Sequence, residues 1–279
     1  MKEPQNSADV EPEQGDTPSV AAERVWPPSE GTKVGAHLPF LKGDWGTQLF
    51  VRGSMWLSRN RLVLKSGVEH IARENDPFIV AANHNQRTDA VVLPALLFYH
   101  REGKRVHFLA DWPMMLVPGI GWMYRCGQII PVFNKKTKPA FLNSLKRFYE
   151  KPGTAWERAG ETLEQGGSVG SFVEGTLNRN PRRLMRGRLG AAQLAIKHNV
   201  PVVPAGIRFP QHRDAERIPD AAPMEIEIGA PMKPPDASAP GADSKELVRA
   251  FQARIMTRLS ELSGKSWTPP GSRRKDDGP

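Results

Sequence analysis

Apolar positions recur along this chain with two spacings, and the places where one gives way to the other predict most of its elements. From residue 44 to about 60, Trp45, Leu49, Gly53 and Trp56 step by three or four, with Phe50, Met55 and Leu57 broadening the stripe, which predicts a Trp-bearing amphipathic helix. Residues 62–64 and 68–71 read as strand pieces around Gly67, and Pro77-Phe78-Ile79-Val80 as a short buried strand ending near Asn83. Thr88 or Asp89 then caps a helix through Val92, Leu96 and Leu97 to about Tyr99. Strands follow at 106–110 and 127–133, with helix at 114–122 between them.

Thr154-Ala155-Trp156-Glu157 has the form of a capping box, so Trp156, Ala159 and Leu163 are expected to face a core until Gly166-Gly167 stops the helix. A strand at 169–173, an arginine-rich loop and a helix over 190–197 come next. Residues 200–207 form another strand, with Pro201 and Pro204 expected at its start or on an edge. Glu225-Ile226-Glu227-Ile228 alternates as a half-exposed strand does. Asp243 can cap a last helix whose stripe is Leu247, Phe251, Ile255, Leu259 and Leu262. Strands separated by helices predict an α/β fold: a single layered domain with a mixed, largely parallel sheet flanked by helices and preceded by the amphipathic helix.

Composition sets the limits of that domain. Residues 1–40 are rich in Pro, Glu, Ser and Gln and read as a disordered acidic tail, 41–265 as the folded domain with 44–60 as its amphipathic helix, and 266–279 as a polar tail. The start, MKEPQNSADVEPEQGD, lacks the basic and apolar regions of a secretory signal, and the single Cys126 cannot form an internal disulfide, so a cytosolic setting is expected. The net charge of +9 calls for an anionic partner: a phosphorylated ligand, an anionic lipid surface or a nucleic acid. Acids gather in the N-terminal tail, whereas Arg179, Arg182, Arg183, Arg186 and Arg188 crowd one loop. Nucleic acid ranks last, because that loop has neither interleaved aromatics nor a reading motif. The helix at 44–60 suits either the core or a membrane interface.

The chemistry-bearing stretch is Ala81-Ala82-Asn83-His84-Asn85-Gln86-Arg87-Thr88-Asp89. Its His84 emerges where a strand ends, the place at which open α/β sheets present ligands, and Asp89 can fold back to orient the imidazole as a general base. A structural His-Asp hydrogen bond is the plainer reading of these two residues alone. Gly166-Gly167-Ser168-Val169-Gly170 matches the hydrolase nucleophile pattern, but helix precedes and strand follows it, the reverse of what that motif requires, so Ser168 is expected in a turn. Cys126 is expected to pack. The scattered histidines carry no metal-ligand spacing, so no metal is expected.

Taken together, Asn83-His84 with Asp89, Gly127-Gln128-Ile129, Phe172-Val173-Glu174-Gly175-Thr176 and Val200-Pro201-Val202-Val203-Pro204 resemble the four ordered blocks of the glycerolipid acyltransferase family, over about residues 45–230. The resemblance implies transfer of a fatty acyl group from an acyl-CoA or acyl carrier protein thioester to a hydroxyl of a lysophospholipid similar to lysophosphatidic acid. It implies His84 as base, Asp89 as its partner, acceptor-binding roles for Glu174, Gly175 and Thr176, no bound cofactor, and peripheral or monotopic attachment to the cytoplasmic face of a membrane. Two positions depart from the family pattern. Phe133 and Leu177 stand where the family carries arginines, so Arg179, Arg182, Arg183 or Arg186 is expected to supply the charge for the acceptor phosphate, with Arg179 and Arg186 as the acceptor-binding residues, or else to form a solvated face or lipid-headgroup patch. The competing reading is a non-catalytic lipid-binding module on the same scaffold.

Overall fold

A computed structural model describes residues 24–26, 45–59, 61–133, 140–150, 152–236 and 244–270 of the chain. Eight strands, β1 (Arg24–Trp26), β2 (Leu62–Leu64), β3 (Ile79–Ala82), β4 (Val106–Asp111), β5 (Ile130–Val132), β6 (Ser168–Phe172), β7 (Val202–Arg208) and β8 (Met224–Ile228), form one sheet in the order β1-β2-β8-β7-β3-β6-β4-β5. The central strands β7, β3, β6, β4 and β5 run parallel, and β8 is antiparallel to β7. The helices are α1 (Trp45–Ser58), α2 (Asp89–His100), α3 (Ile120–Cys126), α4 (Lys146–Tyr149), α5 (Ala155–Glu164), α6 (Gly190–His198) and α7 (Ser244–Ser263).

The sheet is covered on both faces, which is why β3 reads as an unbroken apolar run rather than an alternating one. Successive side chains of a strand point to opposite faces. Val80 and Ala82 therefore enter a core with Phe50, Val51 and Met55 of α1 and Val92, Leu93 and Leu96 of α2. Ile79 and Ala81 enter a second core with Ala159 and Leu163 of α5, Ala192 and Ala195 of α6, and Ile255 and Leu259 of α7. The result is the expected mixed, largely parallel α/β architecture.

Several local expectations change. Residues 68–71 form a 3-10 helix, not a strand, because Gly67 at φ 91° turns the chain away against the backbone of Ile228. The helix expected at 114–122 is split into a 3-10 turn, Trp112–Leu116, and α3, with Gly119 at φ 81° between them. Pro204 lies inside the sheet and not at an edge, paired with Ala81. The Gly229 N–H donates to its carbonyl at 2.8 Å, but proline has no N–H to return, so the β7–β8 ladder ends there without a buried donor being stranded. The Thr154–Glu157 capping box forms as expected, whereas Trp156 is exposed. Within the segment read as a disordered tail, residues 24–26 pair with β2 as an edge strand. The rest of that segment, Asp243 and residues 271–279 lie outside the described residues. The polar tail read from 266 starts too early, since Ser266 pairs with the 182–184 segment and Trp267 packs on the second core.

Candidate active site

β3 and β6 end side by side, and the loops that leave them build the site. Asn83, the first residue past β3, continues the ladder with its side chain: Nδ2 donates to the Ile207 carbonyl at 2.8 Å and Oδ1 accepts the Ile207 N–H at 2.7 Å. The backbone is thereby released from β7, and His84 turns out beyond it. Its ring stacks on Phe172, the last residue of β6, at 4.3 Å between centroids and 25° between planes.

Asp89, the first residue of α2, is completely buried. Its Oδ2 accepts the backbone N–H groups of Asn85 at 2.6 Å and Gln86 at 3.0 Å, so the carboxylate closes the loop back toward β3 rather than capping its own helix. Those bonds fix the carboxylate and aim it at His84, whose Nδ1 lies 3.5 Å from Oδ2. That separation is slightly longer than a formed hydrogen bond. With Nδ1 turned to Asp89, Nε2 is the ring nitrogen left to exchange a proton.

Glu174 follows β6 and is 3% exposed. Its Oε1 accepts the His84 N–H at 3.3 Å, and its Oε2 accepts from Asn178 Nδ2 at 2.6 Å and the Met185 N–H at 2.9 Å. Burial raises its pKa above the usual glutamate value, and these donors and the nearby Lys265 ammonium pull it back down. Gly175 sits at φ 69° with the Arg188 side chain lying over the space a Cβ would fill, which excludes any other residue there without displacement. Thr176 and Arg186 are exposed. Arg179 donates to Asp220 at 2.6 Å and to the Ile218 carbonyl at 3.0 Å, holding the Asp220 carboxyl below its ordinary range. Its guanidinium is thus committed within the fold, unlike that of Arg186. Near Phe133, cations arrive from other elements: Lys146 Nζ lies 5.5 Å and the Arg158 guanidinium 5.8 Å from the ring centroid.

Ser168 is not in a turn. It opens β6, fully buried, accepts the Phe78 N–H at 3.0 Å and donates to Asp76, at the opposite ends of the strands from His84. Among the described residues no group of three His, Cys, Asp or Glu side chains could hold a metal ion. Two participants escaped the sequence reading. Asn85 and Lys265 meet beneath the His84 loop, and nothing in the local sequence of either points to the other across 180 residues.

Residues 62–208, just over half of the chain, match the family model described as Acyltransferase. The chain belongs to this family and is an acyltransferase. Among solved structures it is similar to the crystal structure of the 1-acyl-sn-glycerophosphate (LPA) acyltransferase, PlsC, from Thermotoga maritima, with a TM-score of 0.51 and 22% identity over 80% of each chain. That likeness reports the shared fold. No curated protein matches the sequence.

Proposed function

We propose that the enzyme transfers a fatty acyl group from an acyl-CoA or acyl carrier protein thioester to a hydroxyl of a lysophospholipid of the lysophosphatidic acid kind, with His84 as general base. The observation that carries this reading is His84 at the C-terminal end of β3, faced at Nδ1 by a buried, doubly hydrogen-bonded Asp89. His84 Nε2 takes the proton of the acceptor hydroxyl as its oxygen attacks the thioester carbonyl. The tetrahedral intermediate collapses with cleavage of the C–S bond, and the proton passes from Nε2 to the departing thiolate. Asp89 stabilises the imidazolium formed between the two steps. A thioester is activated already, so a positioned base and good alignment suffice without a covalent enzyme intermediate.

Acceptor specificity rests on the cations around the site, with exposed Arg186 better placed to meet a phosphate than Arg179, which is bound to Asp220. The similar Thermotoga maritima protein is a 1-acyl-sn-glycerophosphate acyltransferase, in keeping with a phosphorylated acceptor here. Attachment to the cytoplasmic face of a membrane is peripheral in this reading. Among the described residues no helix is long and apolar enough to cross a membrane, while α1 turns Trp45, Leu49 and Trp56 to solvent.

The test is acyl transfer from labelled acyl-CoA, and in parallel from acyl carrier protein, to a panel of lysophospholipids. His84→Ala is expected to lower turnover by roughly 100- to 10,000-fold with folding unchanged. Near-normal transfer by that variant removes His84 as the base.

A further inference from the structure

Lys265, two residues beyond the end of α7, is only 2% exposed. Burying an ammonium costs several kcal/mol unless hydrogen bonds and opposite charges offset it. Its Nζ donates to Asn85 Oδ1 and, at 2.7 Å, to the Asn180 carbonyl. Asn85 lies in the His84 loop, and its N–H is one of the two that hold Asp89. Asn180 lies on the loop leaving Glu174, and its own N–H donates to the Asn178 side chain, which donates in turn to Glu174.

We propose that Lys265 is a positioning residue for acyl transfer: its ammonium ties the loop carrying His84 to the loop carrying Glu174. The proposal rests on His84 being the base. Removing the ammonium deletes both bonds that join the loops and takes away a positive charge that holds the Glu174 pKa down against burial. If Glu174 protonates, its hold on the His84 N–H weakens and the imidazole loses its fixed place.

Burial pushes the Lys265 pKa down to about 8, while Glu174 and Asp89 hold it up from a lower value. Other charged side chains on the elements that meet it include Arg87 and Arg179, both paired with Asp220, the exposed Arg182 and Arg183 beside Ser266, and the Arg208–Glu227 and Arg258–Glu261 pairs, all engaged elsewhere or facing solvent. Lys265 therefore loses its charge just above neutrality, and activity falls with it. Stability moves the other way. Because the folded pKa lies below the unfolded value of 10.5, the unfolded chain binds more protons between about pH 8 and 10.5, and the Lys265 contribution to stability rises across that window.

The experiment is the pH profile of kcat/KM for the full chain, with acyl-CoA and lysophosphatidic acid, from about pH 6 to about pH 10. The wild type is expected to lose activity with a midpoint near pH 8. Lys265→Arg, whose guanidinium stays protonated, should keep activity through that range. Lys265→Met should lower kcat roughly 10- to 100-fold at neutral pH and show no alkaline fall near pH 8. Circular dichroism and thermal unfolding identify variants that fold. An unchanged alkaline limb in either folded variant, or a wild-type profile without one, overturns the proposal. His84→Ala, run alongside, separates the two ideas: an active His84→Ala removes the base, whereas an inactive one beside an unmoved alkaline limb removes only the clamp.

Discussion

Asn83 does with a side chain what a strand residue does with its backbone. One amide satisfies both the N–H and the C=O of Ile207, so β3 can stop without stranding polar groups in a fully buried position. Asn83→Ala is expected to destabilise the fold by about 1–3 kcal/mol for each group left unpaired, read as a lower urea midpoint, and to reduce activity through the displaced His84 loop. Gly175 sets a similar limit on the far side of the site: Gly175→Ala places a Cβ at positive φ against Arg188 and should lower the thermal midpoint. At this scale the sequence shows what is local. His84 and Asp89 are five positions apart and their pairing follows from a strand ending before a helix. Asn83 finds its partner 124 residues away, and Lys265 lies 180 residues from Asn85, distances over which periodicity and spacing carry no information.

α1 explains why its stripe supports two readings. The helix is apolar on more than one side: Phe50, Val51 and Met55 fill the core, while Trp45 is 75% and Trp56 63% exposed. The residues that defined the pattern in the sequence are thus the ones left in water, because a stripe of residues three or four apart marks a face without saying what covers it. The guanidinium of Arg59 lies 5.2 Å from the Trp56 ring centroid, a placement suited to a headgroup boundary. Replacing Trp45 and Trp56 by Gln should weaken flotation with anionic vesicles at least about tenfold, since removing one large apolar side chain from water is worth about 1.5–3 kcal/mol. The unfolding midpoint measured without vesicles should barely move, as neither residue is part of the core. Helices with caps and strands of unbroken apolar residues were readable for physical reasons of the same kind. The 3-10 segment at 68–71 was not, because its apolar residues also fit a strand and the decisive contact, Gly67 against Ile228, comes from the far end of the chain.

Across the whole molecule, the two ends of the sheet have divided tasks. Where β3 and β6 begin, Asp76 receives both Arg101 bonds at 2.7 and 2.8 Å, Lys104 at 2.6 Å and the Ser168 hydroxyl. Arg101 is fully buried and also donates to the Ile71 carbonyl at 2.7 Å. Arg101→Met should cost about 3–5 kcal/mol in denaturant unfolding, the usual effect of breaking a buried pair from one side, while the folded fraction keeps its acyl-transfer rate. The proposed chemistry lies at the opposite end, where His84, Glu174 and Lys265 converge. Their convergence also sets an order of events in the making of the enzyme. A chain synthesised from its N-terminus writes the His84 loop early and Lys265 only 180 residues after Asn85, an interval of roughly 10–40 s at ordinary translation rates. Through that interval the His84 loop, joined about halfway by the Glu174 loop, lacks the ammonium proposed to tie the two together, so the site takes its final geometry only once Lys265 is in place.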